Sequence, residues 1–191
     1  VKGRWLAILT ALFGLALLAA PVKPGPGAVV PWQATFQAVA GPRWIDRAAQ
    51  IQAESGFDPL VVSPAGAKGV AQFMDATWRH AQRMHWAPAG SSPFDPAAAI
   101  PANHGYQTWC EAFCHGFEPG LGGYNAGPGN IRKAQLVAQT LGLPGERAWL
   151  EALPRVTGVV HARETRGYIL HNAANRAAIR GRLAALGLAR G

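Results

Sequence analysis

Ten carboxylates are all the Asp and Glu that this 191-residue chain has for acid–base chemistry, and two of them sit oddly. Glu54, in QAESGFDP (52–59), lies in the last turn of a segment whose apolar residues Trp44, Ile45, Ala48 and Ile51 recur at helical spacing. A negative charge at that end opposes the helix dipole. At about 100° per residue it falls at the edge of the apolar stripe. No Lys or Arg lies within four positions, Arg47 being two turns away. All three features favour a carboxyl that keeps its proton above the ordinary value of about 4.3, which suits a general acid working near neutral pH. Glu164, between HAR and TRGYIL, is the second candidate, because perturbed carboxylates cluster at functional sites. The other acids mostly precede proline, open helices or lie on polar faces.

Other chemistries lack their residues. There is no H-E-x-x-H, no G-x-x-x-x-G-K, no G-x-S-x-G and no zinc pair. GPGN (127–130) has no following lysine and reads as a helix break. Cys110 and Cys114, in WCEAFCHGF, fit either a disulfide in an exported protein or two buried thiols. An i,i+4 pair on a regular helix sits near the edge of the permitted Cα separation. A metal set of His104, Cys110, Cys114 and His115 matches no standard zinc spacing.

The elements that must position these groups are helical. Pro42 suits a first turn, and Gly56 a C-terminal stop to the Glu54 helix. Residues 56–69, GFDPLVVSPAGAKG, are a loop dense in turn formers. Asp75 is the expected N-cap of a helix to about Met84. Asp95 and Pro96 open the next, which Pro101 should kink or shorten. Helices follow through GLGGYNAG, over 130–141 and up to Leu153, and a longer one spans 161–186. No segment alternates long enough to predict a strand. With 49% hydrophobic residues, a chain of this length affords a real core. The fold class is all-α, in one domain over 41–187.

The first 22 residues differ in kind. Lys2 and Arg4 precede an apolar run from Trp5 to Ala20 broken only by Thr10, the pattern of an export signal. As a helix residues 5–20 would span about 24 Å, slightly short of a bilayer core. Leu at −3 makes cleavage after Ala19 or Ala20 poor, so the segment is either cleaved or kept as an inner-membrane anchor. A Pro/Gly linker over 23–40 follows. The formal charge of +8 favours an anionic partner such as cell wall. Without a dense basic run or an aromatic-interleaved motif, nucleic acid is not predicted as a partner.

Four ordered blocks carry a family resemblance: ESGFDPLVVSPAGAKGVAQFMDATW (54–78), FDPAAAI…Y (94–106), GGYNAGPGN (122–130) and ARETRGYI (162–169). In order and spacing they resemble the soluble lytic transglycosylases, goose-lysozyme-like enzymes that cut bacterial peptidoglycan. The match runs from about residue 43 to 180. It implies a lysozyme-like helical domain with Glu54 as the catalytic acid. Ser63, Gln72 and Met74 then match positions lining the sugar cleft, Tyr124 and Asn125 the tyrosine–asparagine pair facing the acid, and Glu164 and Tyr168 the motif that closes the cleft. The chain departs from the family pattern at Val70 and Ala71 (GVAQ for GLMQ), at Ala99 for an asparagine, and at GYN for AYN. These bear on packing and subsites rather than on the acid.

The resemblance further implies the reaction. Glu54 protonates the oxygen between N-acetylmuramic acid and N-acetylglucosamine. The substrate's acetamido group assists, and the ionised Glu54 then takes the proton of the C6 hydroxyl as it closes on C1, giving a 1,6-anhydro product. No second carboxylate, metal or organic cofactor is implied. The partner is the peptidoglycan glycan strand, and the location is the periplasm, with the inner membrane as a further partner if residues 5–20 are retained. A hydrolase on the same fold, or a non-catalytic wall-binding assembly module, stays open as the alternative. Wall turnover, service to a secretion or conjugation apparatus, and phage entry or lysis all fit such an enzyme.

Overall fold

The Glu54 helix stops at Gly56, which adopts φ 61° and ψ 24° and donates its N–H to the Gln52 carbonyl at 3.0 Å. Glycine enters this left-handed region without a Cβ penalty. The computed structural model describes residues 23–25 and 27–188. Among these, the order is α1 (Gln33–Ala40), a 3-10 turn (Gly41–Arg43), α2 (Trp44–Ser55), α3 (Asp75–Arg83), α4 (Pro96–Phe113), α5 (Phe117–Ala126), α6 (Pro128–Thr140), α7 (Ala148–Ala152), α8 (Pro154–Thr157) and α9 (Val159–Ala185). The only β pairing among the described residues is two isolated bridges, Val62 to Lys68 and Lys68 to Phe73. The all-α class therefore holds for them. None of their helices is long and apolar enough to cross a membrane. The apolar run expected at 5–20 lies outside the described residues.

The described residues fall into two compact units: residues 107–169, and the residues up to Tyr106 together with those from Leu170 on. The second unit is built on one apolar cluster. It joins Ala48, Ala49 and Ile51 of α2, Val70, Ala71 and Phe73 of the following loop, Trp78 and Ala81 of α3, Ala98 to Ile100 of α4, and Ile179 and Leu183 of α9. Three departures from the family pattern, Val70, Ala71 and Ala99, are all fully buried there, so their smaller side chains are part of this core.

The linker expected over 23–40 is a correction. Val29 and Val30 are buried in that same cluster, and Phe36 of α1 is fully buried. Its ring meets Phe57 edge-on, with centroids 6.5 Å apart and planes at 70°. The apolar side chains from Val29 on gain more from burial than the Pro/Gly composition before them suggests. Two smaller expectations also shift. Met74, not Asp75, is the N-cap of α3, and Asp75 is its first residue. Helix α4 neither stops nor shortens at Pro101. The bond lost there is to Ala97, an exposed residue in the first turn whose carbonyl water can satisfy. The expected start of α4 holds, since Asp95 Oδ1 accepts the Ala97 N–H at 2.9 Å.

The 107–169 unit is packed through glycines. On α5, a Cβ at Gly120 would stand 2.7 Å from Glu111 Cα, and one at Gly122 would stand 2.8 Å from the Trp149 ring. One at Gly123 would meet Cys114 Sγ at 3.0 Å. The glycines cost helix propensity and in return admit α4 and α7 at short range. The break predicted over GPGN narrows to Gly127 alone, at φ 89°, with Pro128 opening α6.

Candidate active site

The candidate residues divide evenly between the two units. Glu54, Ser63, Gln72 and Met74 belong to the unit built on α2. Tyr124, Asn125, Glu164 and Tyr168 belong to residues 107–169.

Glu54 is 8% exposed, in the last turn of α2. The connection that leaves this helix is strained. Phe57, three residues on, takes φ 69°, a conformation that a bulky residue rarely adopts, and it is buried against Phe36. The loop then closes on itself. Ser63 accepts the Ala67 N–H on Oγ at 3.0 Å and donates its own N–H to the Ala67 carbonyl at 2.9 Å. Gly69 donates to the Val61 carbonyl at 2.9 Å. Gln72, itself at φ 49°, donates from Nε2 to the Gly69 carbonyl at 3.0 Å and to Val61 at 3.3 Å. Ser63 and Gln72 are thus brought into one loop, each 8% exposed, and their side chains hold its shape. Met74 ends the loop with its side chain exposed. Beside it, the Lys68 ammonium lies 2.6 Å from Asp75 Oδ1 and holds that carboxyl below its ordinary range, first through the hydrogen bond and then through its charge.

Gly69 carries no spacing signal, yet the loop depends on it. It stands at φ 69°, and a Cβ there would fall 2.0 Å from the Pro93 carbonyl oxygen.

In the 107–169 unit, Tyr124 and Asn125 occupy the last turn of α5, both half-buried. Glu164 and Tyr168 are one turn apart on α9, the first half-buried and the second buried. The residue that joins the two helices is one that sequence reasoning passed over. Thr165, 1% exposed, places Oγ1 2.9 Å from Asn125 Oδ1 and 3.0 Å from the His161 carbonyl. Its only signal was its place inside ARETRGYI.

Cys110 and Cys114 are both thiols and both buried. Cys114 lies 3.8 Å from the Pro128 carbonyl, and burial pushes its thiol up to about 11.

Comparison with known proteins bears on this arrangement. Residues 48–142 match the model of the transglycosylase SLT domain. Over 120 residues the chain is 32% identical to the soluble lytic murein transglycosylase of Escherichia coli K12, a match that covers 61% of this chain and 17% of that protein. The crystal structure of the 70 kDa soluble lytic transglycosylase of Escherichia coli is similar at a TM-score of 0.65 and 28% identity, over 80% of this chain and 24% of that one. An inactive glutamate-to-glutamine mutant of lytic transglycosylase Slt from Pseudomonas aeruginosa shares the fold, at a TM-score of 0.64 and 23% identity, over 81% of this chain and 24% of that one. The chain therefore spans about a quarter or less of the length of the relatives it matches.

Proposed function

This chain belongs to the transglycosylase SLT domain family, and from that premise we propose that it is a peptidoglycan lytic transglycosylase with Glu54 as its acid and base. The observation that carries the reading is the burial of the Glu54 carboxyl at the C-terminal end of α2, within the part of the chain that matches the family. Burial and the helix end both work against the ionised form. A carboxyl so placed suits the delivery of a proton to the glycosidic oxygen, as in other glycosidases whose transition state is oxocarbenium-like. In the proposed sequence the substrate's acetamido group assists departure, and the ionised Glu54 takes the C6 hydroxyl proton as the 1,6-anhydro ring closes. Tyr124 and Asn125 contact the sugar, with Glu164 and Tyr168 bounding it. Ser63 and Gln72 act through the rigidity of their loop, and Met74 through its exposed side chain.

The product decides between this reaction and hydrolysis on the same fold. Mass spectrometry of muropeptides released from purified sacculi should show anhydro-muramyl products, lighter by one water than lysozyme products. Reducing products of full mass would assign a hydrolase instead. We also place the catalytic part outside the inner membrane, on the strength of Lys2, Arg4 and the apolar run behind them. A C-terminal reporter that folds only in the cytoplasm should be inactive, and full reporter activity would refute export.

A further inference from the structure

We propose that Thr165 sets the polarity of Asn125, fixing it as a hydrogen-bond donor toward the carbonyl oxygen of a substrate acetamido group. The inference rests on the reading of the chain as a glycan-cleaving enzyme, and deepens it by assigning a positioning residue and the chemical group that it serves.

A single proton decides the polarity. The Thr165 hydroxyl carries one hydrogen, yet its oxygen stands within bonding distance of two acceptors, Asn125 Oδ1 at 2.9 Å and the His161 carbonyl at 3.0 Å. It serves one at a time. The His161 carbonyl accepts the backbone N–H of Thr165, four residues on, in a regular helix. The amide oxygen of Asn125, by contrast, faces the hydroxyl at 2.9 Å and cannot donate, so the contact is a bond only if the proton lies toward it. Thr165 is the hydrogen-bond partner that the structure gives the Asn125 side chain. Directed to Asn125, the proton satisfies Oδ1 and leaves both Nδ2 hydrogens for a ligand. Directed to His161, it would turn the hydroxyl oxygen into an acceptor. The Asn125 amide would then reverse, with Nδ2 toward Thr165 and its carbonyl toward the ligand. Donor and acceptor faces of Asn125 are therefore exchanged by the rotation of one hydroxyl, and the hydroxyl belongs to a residue 1% exposed, out of reach of competing water.

A half-buried amide at the end of α5 whose oxygen already takes the Thr165 proton, and whose two N–H groups are not used by Thr165, favours an acceptor. On a peptidoglycan strand the neutral acceptors of that strength are amide carbonyls, found in the acetamido groups of the sugars and in the stem peptides. The residue beside Asn125 is Tyr124, and the neighbour of Thr165 is Glu164, both among the residues proposed to contact or bound the sugar. That setting favours the acetamido group.

The test uses the full chain and soluble, uncross-linked glycan strands. Thr165→Val removes the hydroxyl at nearly constant volume, and one neutral hydrogen bond is worth roughly a 3- to 10-fold change. We expect kcat/KM to fall by that factor, Thr165→Ser to restore it to within about twofold, and Thr165→Val to cost nothing further on an Asn125→Ala background. The same pattern should persist on strands stripped of stem peptides by an amidase. Loss of the effect on stripped strands would place the acceptor in the peptide and overturn the acetamido assignment. An undiminished Thr165→Val variant, or a Thr165→Val loss that repeats in full on Asn125→Ala, would overturn the positioning role. A wild type that releases nothing from sacculi would instead refute the enzymatic reading on which both depend.

Discussion

The unit that carries Glu54 and the unit that carries Tyr124 hold their candidate residues by different means. Behind Glu54 the chain runs through a loop shaped by added contacts: left-handed Phe57 and Gln72, the Ser63 hydroxyl on its own turn, and Gln72 tied to two carbonyls. Around Tyr124 and Asn125 the shaping is by omission. Three glycines of α5 lack the atoms that would keep Glu111, Trp149 and Cys114 away. A loop held by side chains fails when a contact is removed and glycine-packed helices fail when an atom is added; within the loop, Gly69 shares the second weakness.

That contrast is open to test by thermal or urea melts. The largest loss should come from Phe36→Ala, about 3–5 kcal/mol for a large buried aromatic, because Phe36 backs Phe57. A loss near zero would make residues 29–40 an appendage. Gly69→Ala should cost about 3 kcal/mol or more, since it adds a left-handed alanine to an overlap with the Pro93 carbonyl. Gly120→Ala should cost about 1–3 kcal/mol through its clash with the Glu111 backbone. Gly181→Ala, in α9, meets nothing within 4 Å and should stabilise by up to about 1 kcal/mol. Equal effects at Gly120 and Gly181 would mean that omission does not shape the 107–169 unit.

The smallest effect concerns Cys114. With its thiol at about 11 and buried, Cys114 of the native protein, followed by peptide mapping, should react with iodoacetamide at pH 8 roughly 100-fold more slowly than free cysteine. Alkylation of Cys114 at the free rate would mean that its packing against Pro128 opens in solution.

Much of this was legible in the sequence where a single residue type is diagnostic. The end of α2 was readable because glycine takes the left-handed region cheaply, and the start of α4 because Asp-Pro caps and opens a helix. The four motif blocks led to Glu54. Legibility failed where composition outran pattern. PGPG spread its linker character over Val29, Val30 and Phe36, although their burial depends on partners far along the chain. Phe57 and Gln72 hold conformations that their own propensities oppose, so only tertiary contacts account for them. The two units left no trace, because the periodicities of α4 and α9 run unbroken through residues 106 and 169. Thr165 was missed because a lone hydroxyl has no spacing to betray its partner forty residues away.

One buried carboxyl at the end of α2 is held to do the acid–base work, and Glu54→Gln tests that most directly. Glutamine keeps the shape, removes the transferable proton and no longer opposes the helix dipole. The variant should melt at or slightly above the wild-type temperature while its release of muropeptides from purified sacculi falls by about 10²–10⁴-fold or more. Undiminished release by a folded Glu54→Gln protein would contradict the role given to Glu54 and move the search for the acid to Glu164.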